Sequence, residues 1–134
     1  MNIQILEEVK KLIREEPKRI FMGEWIVRMP DISCGTAACI AGWALLIDRR
    51  NAMNLKDDAT WISKARHDVY DETYGREIRA SVILGLSYTQ AQALFFVWNW
   101  PEKFKDEYAD ACGNPEMKAE VVCQRIDHFI ATNK

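Results

Sequence analysis

The sequence predicts an all-α fold: one compact domain over residues 1–134, with about six or seven short helices around a central small-residue helix. Three observations predict it. Apolar residues recur at helical spacing in most segments. The breaks between those segments carry helix-stop and helix-start residues, as in Gly85-Leu86-Ser87 and Gly113-Asn114-Pro115. No alternating strand pattern with turn signals recurs along the chain.

The first helix is read from Ile5, Leu6, Val9, Leu12 and Ile13, with Glu and Lys between them. It stops at Glu16, because Pro17 disfavours a helical residue before it. Residues 20–29 are mostly apolar and ambiguous; Ile26-Val27 can be strand-like, but Gly23 interrupts the run. Pro30-Asp31 makes a turn. The central helix follows, capped by Thr36 or Ser33 and running to about Arg50, where Arg49 and Arg50 suit the negative end of the helix dipole.

Asp57 or Asp58 then caps a helix with an inner face of Trp61, Ile62, Ala65 and Val69. Gly75 breaks that pattern, and Ile78, Val82 and Ile83 continue it to Leu84. Gly85 suits the left-handed position after a helix end. Ser87-Tyr88-Thr89-Gln90 is a capping box, opening a helix with Ala91, Leu94, Phe95 and Trp98. Pro101 fits the first turn of a short helix holding Phe104 and Tyr108. Asn114 caps the last helix, Pro115 takes its first position, and Met117, Val121, Val122, Ile126, Phe129 and Ile130 form its inner stripe.

A chain of 134 residues buries roughly two thirds of its unfolded surface, so it needs no disulfide or metal to hold a core. The formal net charge of −2 argues against a general nucleic-acid or membrane-surface binder. No apolar run is long enough for a membrane span, and no signal peptide is visible. The four cysteines are therefore expected reduced, in a cytoplasm. Their spacings match neither a zinc knuckle nor a redox pair, so neither metal nor other cofactor is expected.

The most informative stretch is Ser33-Cys34-Gly35-Thr36-Ala37-Ala38-Cys39-Ile40-Ala41-Gly42-Trp43-Ala44. Its small residues let two backbones approach closely. Gly42 in mid-helix costs about 1 kcal/mol against Ala, so close packing is its first explanation. No catalytic residue is favoured, but a thiol read just ahead of a helix can be ionised there. Cys34 as nucleophile, with His67 or His128 as base and Asp68 or Asp127 behind, makes the parts list of a cysteine-dependent hydrolase or transferase. Ser33, Cys34, Gly35 and Thr36 also suggest a site for a small anion or nucleotide, although no Lys or Arg lies within the stretch. Arg79 to Phe96 has the rhythm of a helix-turn-helix, with Gln90 and Gln92 as base readers; its second helix has no cation for phosphates, and an ordinary helical corner fits better.

Phe95-Phe96-Val97-Trp98-Asn99-Trp100 is apolar all round. Trp98, Trp100 and Trp25 are the candidate contacts for a protein partner, since aromatic anchors dominate protein interfaces.

Cys34-Gly35-Thr36-Ala37-Ala38-Cys39-Ile40-Ala41-Gly42-Trp43-Ala44 resembles the CGTxxCxAGxA signature of small uncharacterised helical proteins of bacteria and phages. Leu84 to Phe95 and Trp100-Pro101 are similar to a second block of that family. The resemblance spans most of residues 1–101 and implies a cytoplasmic protein of bacterial or phage origin, with no activity attached. The leading expectation is thus a non-enzymatic binding protein: a phage or mobile-element accessory protein that binds a host macromolecule such as a defence component. A cysteine-dependent enzyme and an anion or nucleotide binder are the alternatives.

Overall fold

The computed structural model describes residues 1–56, 60–69 and 75–133. Seven α-helices surround one core among these residues: α1 (Ile3–Glu15), α2 (Ile40–Ala52), α3 (Trp61–Val69), α4 (Arg76–Leu84), α5 (Tyr88–Phe95), α6 (Glu102–Asp110) and α7 (Pro115–Thr132). A two-stranded antiparallel sheet, β1 (Ile26–Arg28) with β2 (Thr36–Ala38), is pressed against them in the register Ile26↔Ala38. The all-α expectation holds in class. No helix among the described residues is long and apolar enough to cross a membrane.

Helix α2 is the axis of the packing. Eight successive residues, Ile40 to Ile47, are buried, and α1, α3, α4 and α5 all lie against it. A helix buried on every side needs small residues where neighbours come closest. Ala41, Gly42 and Ala44 provide them, while Trp43 fills the core and donates its indole N–H to the Arg19 carbonyl at 2.9 Å. Its burial leaves no unpaired donor.

Several local signals act as read. Gly85 closes α4 with φ +66°, and Ser87 and Gln90 form the full capping box of α5. The Asn114 side chain caps α7, with Pro115 in its first turn. Pro101 sits at the cap of α6 rather than inside it. The proposed caps Asp57 and Asp58 lie outside the described residues.

Three expectations need correction. Neither Thr36 nor Ser33 caps the central helix: Thr36–Ala38 is a strand, and Cys39 is the cap, its sulfur accepting from the Gly42 amide at 3.4 Å. A partner strand (Ile26–Arg28) claims those backbone groups before a helix can. On α4, Ile78 and Val82 do not continue the inner face; both are exposed, and Ala80 and Leu84 are buried instead. The helix restarts at Arg76, which resets the phase of its stripe. Met117 is likewise exposed, at the outer end of α7.

Candidate functional site

The chain between the two strands folds back on itself. Met29 N–H donates to the Gly35 carbonyl at 2.9 Å, and Gly35 N–H to the Ile32 carbonyl at 2.9 Å. Gly35 has φ +68°, a conformation that a side chain would strain. Ile32 plugs this loop into the protein. Arg66 on α3 then reaches across. Its guanidinium donates to the Gly35 carbonyl at 2.9 Å and to the Thr36 hydroxyl at 2.7 Å, tying the hairpin to α3.

A cleft of about 530 Å³ lies between loop and helix. Arg28 comes to it from β1, and Thr60, Ser63, Lys64 and Arg66 from α3 or just before it; Ser33, Cys34 and Gly35 form the facing rim. No carboxylate lines it among the described residues. Arg28 and Lys64 are exposed and form no ion pair among the described residues, so the described wall of the cleft is cationic in a chain of net charge −2. These cations were invisible in the Ser33–Thr36 stretch because they come from other segments.

The four expected ligand residues have unequal roles. Ser33 is held by Glu16: its hydroxyl donates to one carboxylate oxygen at 2.6 Å and its N–H to the other at 3.1 Å. The Ser33 hydroxyl bond, helped by the N–H and by nearby Arg19 and Lys18, keeps the Glu16 carboxyl below its ordinary range despite partial desolvation. Thr36 is fully buried, with its hydroxyl taken by Arg66, and contributes nothing to the cleft surface. Cys34 is half-buried on the rim and donates to the Thr36 carbonyl at 3.3 Å.

The thiol chemistry is distributed differently from the expectation. Cys34 is not at a helix start. The thiol that does sit at one, Cys39, is buried, and burial pushes it up to about 11 against the opposing pull of the Gly42 and Ala41 amides. Desolvation outweighs the helix terminus here. Neither histidine lines the cleft. His67 is exposed on α3. His128, exposed on α7, meets the Arg125 guanidinium at 3.1 Å and tilts over Phe104. Asp68 pairs with Arg49 at 2.7 Å, and Asp127 pairs with Lys10. Neither histidine thus joins Cys34 at the cleft, and each carboxylate is already engaged by a cation.

The aromatic candidates also divide. Trp100 is 3% exposed, donates to the Leu94 carbonyl at 2.8 Å and packs edge-on against Tyr108; it is a core residue, not a contact. Trp98 is 69% exposed and stacks on Phe96 with ring centroids 4.7 Å apart. Half-buried Trp25 meets Phe95 and Phe96 edge-on. A cleft of about 270 Å³ opens among Trp25, Phe96, Trp98 and Glu24. Phe96 belongs to the apolar run Phe95–Trp100 without being a named contact, and nothing in the sequence points to Glu24.

At the α4–α5 corner, Gln90 is engaged by the Ser87 cap and by Asn133, and Gln92 by Glu77. Neither amide is free to read a base, as a helix-turn-helix would require. No His, Cys, Asp and Glu grouping fit for a metal occurs among the described residues. Comparison with protein-family models, with curated proteins and with solved structures finds no match for this chain.

Proposed function

We propose that this protein works by binding rather than by covalent chemistry, and that the cleft between the hairpin and α3 receives a small anion or the anionic group of a nucleotide. The observation that carries this is the convergence of Arg28, Lys64 and Arg66 on one cleft with no described carboxylate to neutralise them. Like charges gathered without a counter-charge repel, and an anion relieves that repulsion. Arg66 is held by the loop it ties down, so the cleft has one fixed cation and two that can close on a ligand. Ser63 adds a hydroxyl-bearing side chain at the wall. Cys34 supports binding over catalysis, since its hydrogen-bond partner is a carbonyl, which cannot serve as a base.

Calorimetric titration with inorganic phosphate and pyrophosphate tests the proposal. Partly solvated charge contacts predict dissociation constants on the order of 0.1–1 mM for phosphate, tighter for pyrophosphate and weaker in salt. Arg28→Ala and Lys64→Ala should each weaken binding about tenfold. Absence of binding to either anion at low salt, or binding unchanged in both variants, overturns it.

Trp98 favours a second reading. An exposed tryptophan stacked on Phe96 beside an apolar cleft has the make-up of an interface anchor. On it rests the proposal of a small phage or mobile-element accessory protein that docks on a host protein such as a defence component. That setting is a cytoplasm, in which four free thiols stay reduced.

A further inference from the structure

The aromatic surface carries more chemical information than its apolarity. Trp98 sits in a single 3-10 turn, Val97–Asn99, held between two buried anchors. Phe95 is buried before it, and Trp100 after it donates to the Leu94 carbonyl. The Asn99 amide donates to the Gln92 carbonyl at 3.1 Å. The turn is therefore pinned from both sides, and Trp98 is offered in a preset position. Phe96 covers one face of its indole; with 69% of the residue exposed, the other face is open. Glu24 lies on the same cleft, exposed, with no side-chain hydrogen bond or ion pair among the described residues. Its backbone is fixed, because the Glu24 carbonyl accepts from Cys39 N–H at 3.1 Å.

An open indole face and an unpaired carboxylate on one small cleft describe a receptor for a flat cation. A guanidinium satisfies both parts at once: its plane stacks on tryptophan, and its N–H fork matches a carboxylate. Lysine fits less well, since its ammonium is a compact, strongly hydrated point charge. The cleft, at about 270 Å³, is smaller than the roughly 300–1,000 Å³ of drug-sized pockets; a side chain fits it. The net charge of −2 favours a basic partner over an acidic one. We propose that the Trp98–Glu24 cleft docks an arginine side chain of a basic partner protein. This rests on the second reading above and names its chemistry.

The test uses the full chain, ¹⁵N-labelled, with an arginine-bearing hexapeptide and its citrulline counterpart, which keeps the shape and removes the charge. The five tryptophan indole signals separate the surfaces. Trp43, Trp61 and Trp100 are buried, so only Trp98 and Trp25 should shift. The expected result is saturable shifts with the arginine peptide and none with citrulline. Glu24→Gln should weaken binding severalfold and Trp98→Ala about tenfold; both positions are exposed or partly so, and unchanged Trp43 and Trp100 signals report an intact fold. Equal binding of the citrulline peptide overturns the arginine proposal and leaves apolar docking standing. If neither peptide shifts Trp98 at millimolar concentration, both fail.

Discussion

Gly42 lies directly against the backbone carbonyl of Trp25: a Cβ built on Gly42 would sit 1.8 Å from that oxygen and 2.9 Å from the Ala38 methyl. The close approach on the small face of α2 is therefore made by the chain entering β1, not by a second helix. Trp25 and Cys39 are joined at the same point, the Cys39 thiol lying 3.9 Å from the Trp25 carbonyl.

Gly42→Ala should accordingly be among the most damaging single substitutions in the chain. Backbone sits opposite, and backbone cannot rotate away as a side-chain end can. A loss of about 3 kcal/mol or more is expected, read as a lowered midpoint in urea denaturation. A variant of near-parental stability would show that the hairpin is not seated on α2.

Thiol labelling of the native protein should follow exposure and not proximity to a helix start. Cys112 is exposed, Cys34 half-buried, and Cys39 and Cys123 buried. Desolvation holds both buried thiols at about 11. The expected order is Cys112 first, Cys34 next, and the other two only on unfolding, as mass spectrometry after timed alkylation would show. Faster labelling at Cys34 than in a free cysteine peptide would revive the thiol-enzyme alternative.

Lys10 makes stability sensitive to alkaline pH. Burial alone would lower its pKa, but hydrogen bonds and charges from Asp127 and Glu7 outweigh that, and the net shift is upward. A lysine raised in the folded state stabilises fully below its ordinary value near ~10.4, and that contribution disappears as pH rises through the folded value. Stability should therefore begin to fall above about pH 10.5. Asp127→Asn should cost about 1–3 kcal/mol at neutral pH, because Lys10 keeps only Glu7 while Asp127 itself is half-exposed. Denaturant midpoints measured across pH 7 to 11 in both proteins check the sign.

Glu16 supplies the opposite dependence at the acidic end. Its depressed pKa comes first from the Ser33 hydroxyl, so its contribution is present above the ordinary carboxylate value near ~4.3 and fades as pH falls through the folded one. Ser33→Ala should move the Glu16 titration upward, visible by NMR of the carboxyl carbon. The Cys34 rim should loosen with it and anion binding in the cleft weaken. An unmoved Glu16 titration would remove this link between α1 and the cleft.

How much could be read in advance depended on how far apart the interacting groups lie in the chain. The Ser87–Gln90 box, Gly85 and the Asn114-Pro115 start are contained within a few residues, and their chemistry is complete there. Thr36–Ala38 looked helical for the same local reason, being small residues ahead of a small-residue helix. Its pairing with Ile26–Arg28 and the Arg66 bond to Thr36 come from outside the segment, and they move the cap three residues on to Cys39.

The helical class, most element boundaries and the need for space at Gly42 were decided by the amino-acid order, because periodicity, capping and chain stiffness act over one or two turns. What fills that space, which thiol faces solvent, and the gathering of Arg28, Lys64 and Arg66 were decided by the tertiary structure. Burial and electrostatic fields sum over everything nearby, and those neighbours are brought from distant parts of the chain only when it folds.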